Sequence, residues 1–187
     1  MFRGSNEKIF TFCLAGVVIF TISLSAQAGW DPTKEERKIS DVEETILAFK
    51  RHDLALEKFF KEAYGYAVFP TVGKAGIGIG GAYGTGLVYE KGNLIGSTTL
   101  KQVSYGLQLG GQAYREVIFF KDQAALEDFT RGNFEFGATA SAVALTAGAS
   151  ADADYDNGVA VFTIAKGGLM YEATIAGQKF TFRPEQD

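Results

Sequence analysis

The chain has 187 residues, of which 47% are hydrophobic and 21% are charged, and its formal net charge at pH 7 is −4. This length is sufficient for one domain with a sizeable hydrophobic core. Because sequence-independent binding to nucleic acid depends on a surplus of Lys and Arg, the negative charge argues against that class of function.

The first 28 residues have the layout of a secretory signal peptide. Arg3 and Lys8 give a basic start, an apolar run follows over 9–24, and an A-x-A cleavage pattern ends at Ala28. The run is shorter than the roughly 20 residues of a membrane-spanning helix. We therefore expect an exported protein, periplasmic or secreted, or peripheral to a membrane; an uncleaved N-terminal anchor is the alternative. Cys13 is the one cysteine and lies in this segment, so we expect the mature chain to rely on its core rather than on disulfides.

Residues 29–64 are predicted to form a helical hairpin. Asp31-Pro32 is a typical helix opening, because Asp caps free N–H groups and Pro suits the first turn. A second short helix is predicted to start at Asp53 and to end near Tyr64. The apolar residues that define the two helices are Ile39, Val42, Ile46 and Phe49, then Leu54, Leu56, Phe59 and Phe60. We expect this hairpin to cover one face of a sheet; an amphipathic element that docks on lipid is the alternative.

The hydrophobic period changes from that of a helix to that of a strand at residue 66. A short helix with Asp122 as its cap and Gly132 as its stop interrupts the strands, and "EKGN" at 90–93 and "DNG" at 156–158 indicate tight turns. The predicted strands are 66–70, 75–81, 83–90, 94–101, 103–113, 115–121, 133–146, 148–155, 158–165, 168–176 and 178–183. The predicted fold class is α+β, a largely antiparallel β-sheet curled into a sandwich or partly closed barrel. The glycine-rich β region 65–187 and the helical hairpin then form a single globular domain.

The stretch KAGIGIGGAYGTG, residues 74–86, contains the phosphate-loop pattern G-x-G-x-x-G at Gly76, Gly78 and Gly81. A nucleotide loop leads directly into a helix, whereas the residues that follow here alternate as in a strand, and no G-K-[ST] is present. We therefore predict no nucleotide site. In a strand, Gly76, Gly78 and Gly80 point to one face, which leaves that face nearly bare beside a face of bulky apolar residues. Such a bare face serves close packing or bending, with the helical hairpin as the expected neighbour, or it lines a groove for an extended ligand.

No residue pattern in the chain selects a catalytic or metal site. His52 is the only histidine and lies in a charged bend. Asp152, Asp154 and Asp156 have the spacing of the first three ligands of a calcium loop, but the glycine comes one residue late, at Gly158. We predict no enzyme activity, no cofactor and no metal ion. A hydrolase with an unrecognised site is the alternative from the enzyme class.

Four blocks rich in glycine and aromatic residues follow one another along the chain. They are GYAVFPTVGKAGIGIGGAYGTGLVYEKG, GLQLGGQAYREVIFF, ALEDFTRGNFEFGATASAVA and KGGLMYEATIAGQ. In order and spacing these blocks resemble the SYLF family, and the resemblance covers roughly residues 60–180. It implies a non-enzymatic domain that associates with phospholipids; eukaryotic relatives bind phosphoinositides and yeast relatives also bind actin. We do not expect actin binding here, because an exported protein would not meet actin.

Five basic residues beside the glycine blocks are candidates for contact with a lipid headgroup. They are Lys74, Lys91, Lys101, Arg115 and Lys166. Each is predicted near a strand end or turn, where its charge can reach a headgroup. The expected function is therefore binding of phosphatidylinositol or another anionic phospholipid at a membrane surface or in the periplasm. An outer-membrane β-barrel or a structural envelope protein is the alternative, because the strands alternate and aromatic residues are abundant.

Overall fold

The computed structural model describes residues 32–137, 141–145, 149–151, 153–167 and 173–185. The predicted signal peptide and the predicted cap at Asp31 lie outside these residues. The elements are α1 Pro32–His52, α2 Leu56–Glu62, β1 Gly65–Glu90, β2 Asn93–Phe120, α3 Gln123–Thr130, β3 Ser141–Ala144, β4 Val159–Ala165, β5 Ala173–Thr174 and β6 Gln178–Pro184.

The sheet has the strand order β1-β2-β4-β3-β5, and β6 pairs with β2 beside this path. Among the described strands only the pairing of β3 with β4 is parallel. Strand β2 belongs to both parts of the sheet, since its first half pairs with β6 and its second half with β4. The α+β class and the largely antiparallel sheet are thus confirmed, and the strand path among the described residues is open.

The six strands predicted between residues 66 and 121 are in fact two long ones. Strands β1 and β2 pair along almost their whole length and are joined by a tight turn, in which Lys91 and Gly92 have φ angles of 48° and 83°. The backbone bends at three register shifts, one of them between Ile77 and Ile79. Alternation of side chains marks a strand but does not distinguish a bend from an end, which is why the sequence suggested separate strands.

The second half of the chain agrees in part with the sequence predictions. Strands β4 and β6 and helix α3 are confirmed, and the Asp122 carboxylate accepts a hydrogen bond of 3.0 Å from the backbone N–H of Ala125. The strand predicted over 148–155 is wrong for the described residues, because 149–151 form a turn and 153–155 have no regular structure. Within the strands predicted over 133–146 and 168–176, the described residues form β3 and β5; residues 138–140, 146–148 and 168–172 lie outside the described part.

The helical hairpin covers one face of the sheet, as its apolar stripe predicts. Val42 and Phe49 of α1 are buried, and together with α2 they pack against Val68, Leu87 and Val117. The expectation for Leu54 is wrong: it lies in the turn before α2 and is 76% exposed.

The α1–α2 bend is fastened to a distant part of the chain by one carboxylate. Asp53 is 4% exposed, and its Oδ1 accepts a hydrogen bond from the N–H of Ala55 at 3.0 Å. Its Oδ2 accepts a second hydrogen bond, 2.8 Å long, from the N–H of Ser150. Charge-assisted hydrogen bonds of this kind are stronger than neutral ones. The bond to Ser150 therefore positions the helical hairpin relative to the turn at 149–151.

Strand β1 folds over so that its two halves pack on each other. We define the first arm as residues 65–76 with 110–120 and the second arm as 79–90 with 93–105. A Cβ atom at Gly84 would lie 2.9 Å from Cγ2 of Val72, and one at Gly86 would lie 2.5 Å from the carbonyl oxygen of Val68. The side of the second arm that carries Gly84 and Gly86 therefore packs against the other half of β1. The expectation that the helical hairpin presses on it is wrong, since α1 packs with Leu87 on the opposite side.

Polar side chains cross the core between the two arms. Gln178 of β6 is fully buried, and its Nε2 donates to Oε2 of Glu116 at 3.0 Å and to the hydroxyl of Tyr114 at 3.2 Å. Gln178 pairs with Gln102 of the second arm, whereas Tyr114 and Glu116 belong to the first. Burial raises the pKa of Glu116 to about 8, and the hydrogen bond from Gln178 opposes part of this rise. Glu116 is therefore mostly protonated at neutral pH.

We expect Gly86→Ala to destabilise the fold, because the new methyl group would overlap the Val68 carbonyl oxygen. The free energy of unfolding should fall by about 1–3 kcal/mol, the usual range for overpacking. Gly73→Ala is the control, since a Cβ there meets nothing within 4 Å. Urea unfolding measures both; equal stability of the two variants would contradict the packing of β1 on itself.

We expect the stability of the wild-type protein to fall as the pH rises from 4.5 to about 8, because the folded state holds the Glu116 proton over that range while the unfolded state releases it. Each pKa unit corresponds to about 1.4 kcal/mol, so the loss amounts to several kcal/mol. Glu116→Gln should remove this part of the pH dependence in urea unfolding. Glu185→Gln, at an exposed carboxylate, is the control and should leave it in place.

Candidate functional site

An open groove of about 740 Å³ lies where both arms and the end of β4 come together. The first arm contributes two short stretches, the second arm contributes one, and the residues after β4 close the side. The lining residues are Gly73, Lys74, Ala75, Gly81, Ala82, Tyr83, Gly111, Gln112, Ala113, Lys166 and Gly167. Most of these have a small side chain or none, so the backbone itself forms much of the surface.

The glycines of this groove differ from those that hold the arms together. A Cβ atom at Gly73 would meet nothing within 4 Å, one at Gly111 only the Lys74 carbonyl oxygen at 3.9 Å, and one at Gly81 the Gln102 carbonyl oxygen at 3.4 Å. Glycine in a strand costs roughly 0.5–1 kcal/mol relative to Ala. Because the packing would accept a side chain at Gly73 and Gly111, their absence leaves room for something outside the chain.

Two lysines give the groove a positive charge. Lys74 is partly buried, and desolvation lowers its pKa. Nζ of Lys166 donates a hydrogen bond of 2.6 Å to the hydroxyl of Thr71, and its backbone N–H donates to the carbonyl of Ala113 at 2.8 Å. Lys166 is thereby held at the side of the groove. An anion between these two ammonium groups would be favoured, because it would offset both their mutual repulsion and the desolvation of Lys74.

The described residues that line the groove include no carboxylate. Four other clefts on the described part of the protein each include at least one: Asp41, Glu135, Asp154 and Glu62 in turn. Among these five clefts of the described part, the groove is the one lined by basic and no acidic side chains. The groove is therefore the cleft best suited to an anionic ligand.

The structure places three of the five candidate basic residues around this groove. Lys74 and Lys166 line it, and Lys101 is exposed and pairs across the strands with Tyr83, which also lines it. Lys91 lies at the β1–β2 turn, where its Nζ is 4.6 Å from the centre of the Tyr64 ring. Arg115 of β2 faces α1, where its Nη2 forms an ion pair of 3.3 Å with Oε1 of Glu44.

Sequence reasoning missed Gly73, Gly111 and Thr71 as parts of the site. A usable signal was present in the double glycines Gly80-Gly81 and Gly110-Gly111, because two consecutive glycines remove a side chain from each face of a strand. Thr71 carries no such signal: its contact with Lys166 depends on how β1 and β4 meet.

Within the described ranges, no helix is long and apolar enough to cross a membrane. The same residues contain no group of three or more His, Cys, Asp or Glu side chains that could hold a metal ion.

Two comparisons with known proteins bear on this site. A family model described as "Ysc84: Las17-binding protein actin regulator" matches residues 101–187. The chain is also 32% identical over 123 residues to Beta cell expansion factor A of Aeromonas veronii. That alignment covers 65% of this chain and 46% of the relative, so the chain spans about half the length of the curated relative it matches. The family match includes Lys101, Arg115 and Lys166, and it begins after strand β1.

Proposed function

We propose that this chain, as a member of the SYLF family, is a non-enzymatic phospholipid-binding protein; the support is the family match over residues 101–187 and the relative that is 32% identical. The groove is the proposed site for the anionic headgroup. Phosphatidylinositol and other anionic phospholipids are the proposed ligands, at a membrane surface outside the cytoplasm.

The observation that carries this proposal is that two lysines lie in one groove beside glycines whose missing side chains leave the backbone accessible. A phosphodiester oxygen can accept charge-assisted hydrogen bonds from Lys74 and Lys166, while Gly73 and Gly111 let the headgroup approach the backbone closely. Lys101, beside the groove, adds a third positive charge for neighbouring headgroups. The proposed role of the groove is to bind a headgroup by its charge and shape, and this role involves no chemical reaction.

The words that name the family and the relative describe other activities, Las17 binding and actin regulation in one case and beta cell expansion in the other. We propose lipid binding for this chain, and not actin binding. The support for this is the secretory layout of its first 28 residues, since an exported protein would not meet actin.

We expect the double variant Lys74→Ala/Lys166→Ala to bind anionic vesicles at least about tenfold more weakly than the wild type, because each charge-assisted contact contributes about 1.5–3 kcal/mol. Co-sedimentation with vesicles of phosphatidylglycerol and phosphatidylcholine measures this. The matched control is Lys58→Ala/Lys121→Ala, which changes the net charge equally but removes exposed lysines that line a different cleft.

A second pair of substitutions tests the open glycine positions of the groove without changing the net charge. Gly73→Val/Gly111→Val should fold at least as stably as the wild type, because valine favours strands and both sites are open. It should nevertheless bind the vesicles more weakly, since the side chains fill the groove. Full vesicle binding by both this variant and the lysine variant would remove the groove as the headgroup site, and a wild type that binds no vesicle would remove lipid binding itself.

We expect the chain, expressed with its own N-terminus in a Gram-negative host, to be recovered outside the cytoplasm with Gly29 as its first residue. Intact mass measurement of the protein released by osmotic shock checks this. Substituting Ala26 and Ala28 by bulky residues should block processing and serves as the control. Recovery of the full-length chain from the cytoplasm would contradict the proposed export.

A further inference from the structure

The described part of the chain exposes few large hydrophobic side chains, and most of them lie together. Ile79, Tyr83 and Val103 are 64%, 56% and 63% exposed, and the other two, Leu47 and Leu54, belong to α1 and the turn after it. A side chain of this kind exposed alone is ordinary, whereas several on one surface indicate an interaction site.

Strand geometry puts the three side chains on the same face of the second arm. Ile79, Gly81 and Tyr83 alternate along β1 and so point to one side. Val103 pairs with Gly81, and directly opposed residues of antiparallel strands share a face. We call Ile79, Tyr83 and Val103 the apolar face; Gly81 at its centre places no side chain opposite Val103 on β1.

The surroundings of the apolar face favour a phospholipid bilayer as its occupant. Tyr83 belongs to both the face and the groove, and Lys101 pairs across the strands with it. Lys74 and Lys166 line the adjoining groove, in which no described lining residue is acidic. Apolar side chains next to cations match the layering of an anionic membrane, where acyl chains lie beneath phosphates, and tyrosine suits the boundary between the two.

We infer that the apolar face enters the outer acyl region of the bilayer while the three lysines remain at the level of the phosphates. This inference rests on the proposed function and adds the mode of binding: the protein meets the membrane with the bend of its long hairpin, and not with its helices. Binding then has two separable parts, a headgroup part in the groove and an apolar part at Ile79, Tyr83 and Val103.

The first test places a tryptophan in the apolar face. The chain has one tryptophan, Trp30, so Tyr83→Trp is made in a Trp30→Phe background. With vesicles of phosphatidylglycerol and phosphatidylcholine whose acyl chains are brominated, we expect the emission of residue 83 to shift to the blue and to be quenched. If the protein binds these vesicles and the emission does not change, the inference is overturned while the proposed lipid binding stands.

The second test removes the apolar face and keeps the charges. Ile79→Thr/Val103→Thr should retain the fold, because both sites are exposed and threonine favours strands. We expect it to bind the vesicles about tenfold more weakly or worse, while its affinity for soluble glycerophosphoglycerol stays that of the wild type. The matched control, Leu47→Gln/Leu54→Gln, removes the two exposed leucines elsewhere and should bind vesicles as the wild type does.

The remaining outcomes separate this inference from the proposed function. Vesicle binding that is lost in Lys74→Ala/Lys166→Ala but kept in the threonine variant leaves a headgroup site alone and overturns the inference. A wild type that ignores all vesicles overturns both. A stable dimer in sedimentation equilibrium that the threonine variant abolishes would assign the face to a second copy of this chain, and would also overturn the inference.

Discussion

The contact of strand β1 with itself is the constraint on which the rest of the structure depends. Gly84 and Gly86 allow the backbone of the second arm to lie against Val68, Phe69 and Val72 of the first, because the second arm places no side chain at these two positions. Once the arms are this close, their inner faces form a core between them, and the side of Val68 and Leu87 remains for α1. The groove lies farther along the same arms, toward the bend between Ile77 and Ile79.

The strand glycines therefore serve two different physical purposes. At Gly84 and Gly86 a side chain would collide with the other arm, so glycine is a requirement of the fold. At Gly73 and Gly111 a side chain would meet open space, so the fold does not explain the loss of stability that a strand glycine brings. This contrast, more than the number of glycines, links the fold to binding of an anionic headgroup.

Features that depend on neighbours in sequence could be predicted from the sequence. The stripe of α1, the Asp122 cap of α3 and the turns at Lys91-Gly92 and Asn157-Gly158 follow from local periodicity and backbone preference. The alternation of glycines also predicted a bare strand face. It could not say what occupies that face, because the contact of Gly86 with Val68 depends on where a continuous strand bends.

The candidate site, like the fold, could be predicted only in part from the sequence. Choosing basic residues beside glycine blocks named Lys74 and Lys166, which line the groove, and also Lys91 and Arg115, which do not. Lys74, Lys101 and Arg115 lie inside the two long strands and not near strand ends as expected. Charge and proximity to glycine do not reveal which strands meet in space. Lys74 and Lys166 come together because β2 pairs with β1 on one side and with β4 on the other. Arg115 is turned toward Glu44 of α1 by the alternation of that same strand.

The bond between Asp53 and Ser150 has a consequence for how the protein is made. The helical hairpin is synthesised before the sheet. The N–H that binds its bend belongs to Ser150, which follows Asp53 by 97 positions. Until Ser150 is synthesised, the hairpin can rest on β1 and β2 only through its apolar stripe. A nascent or truncated chain that stops before the turn at 149–151 would thus contain every residue of the helices and of β1 and β2. It would still lack the hydrogen bond from Ser150 that fixes the helical hairpin in place.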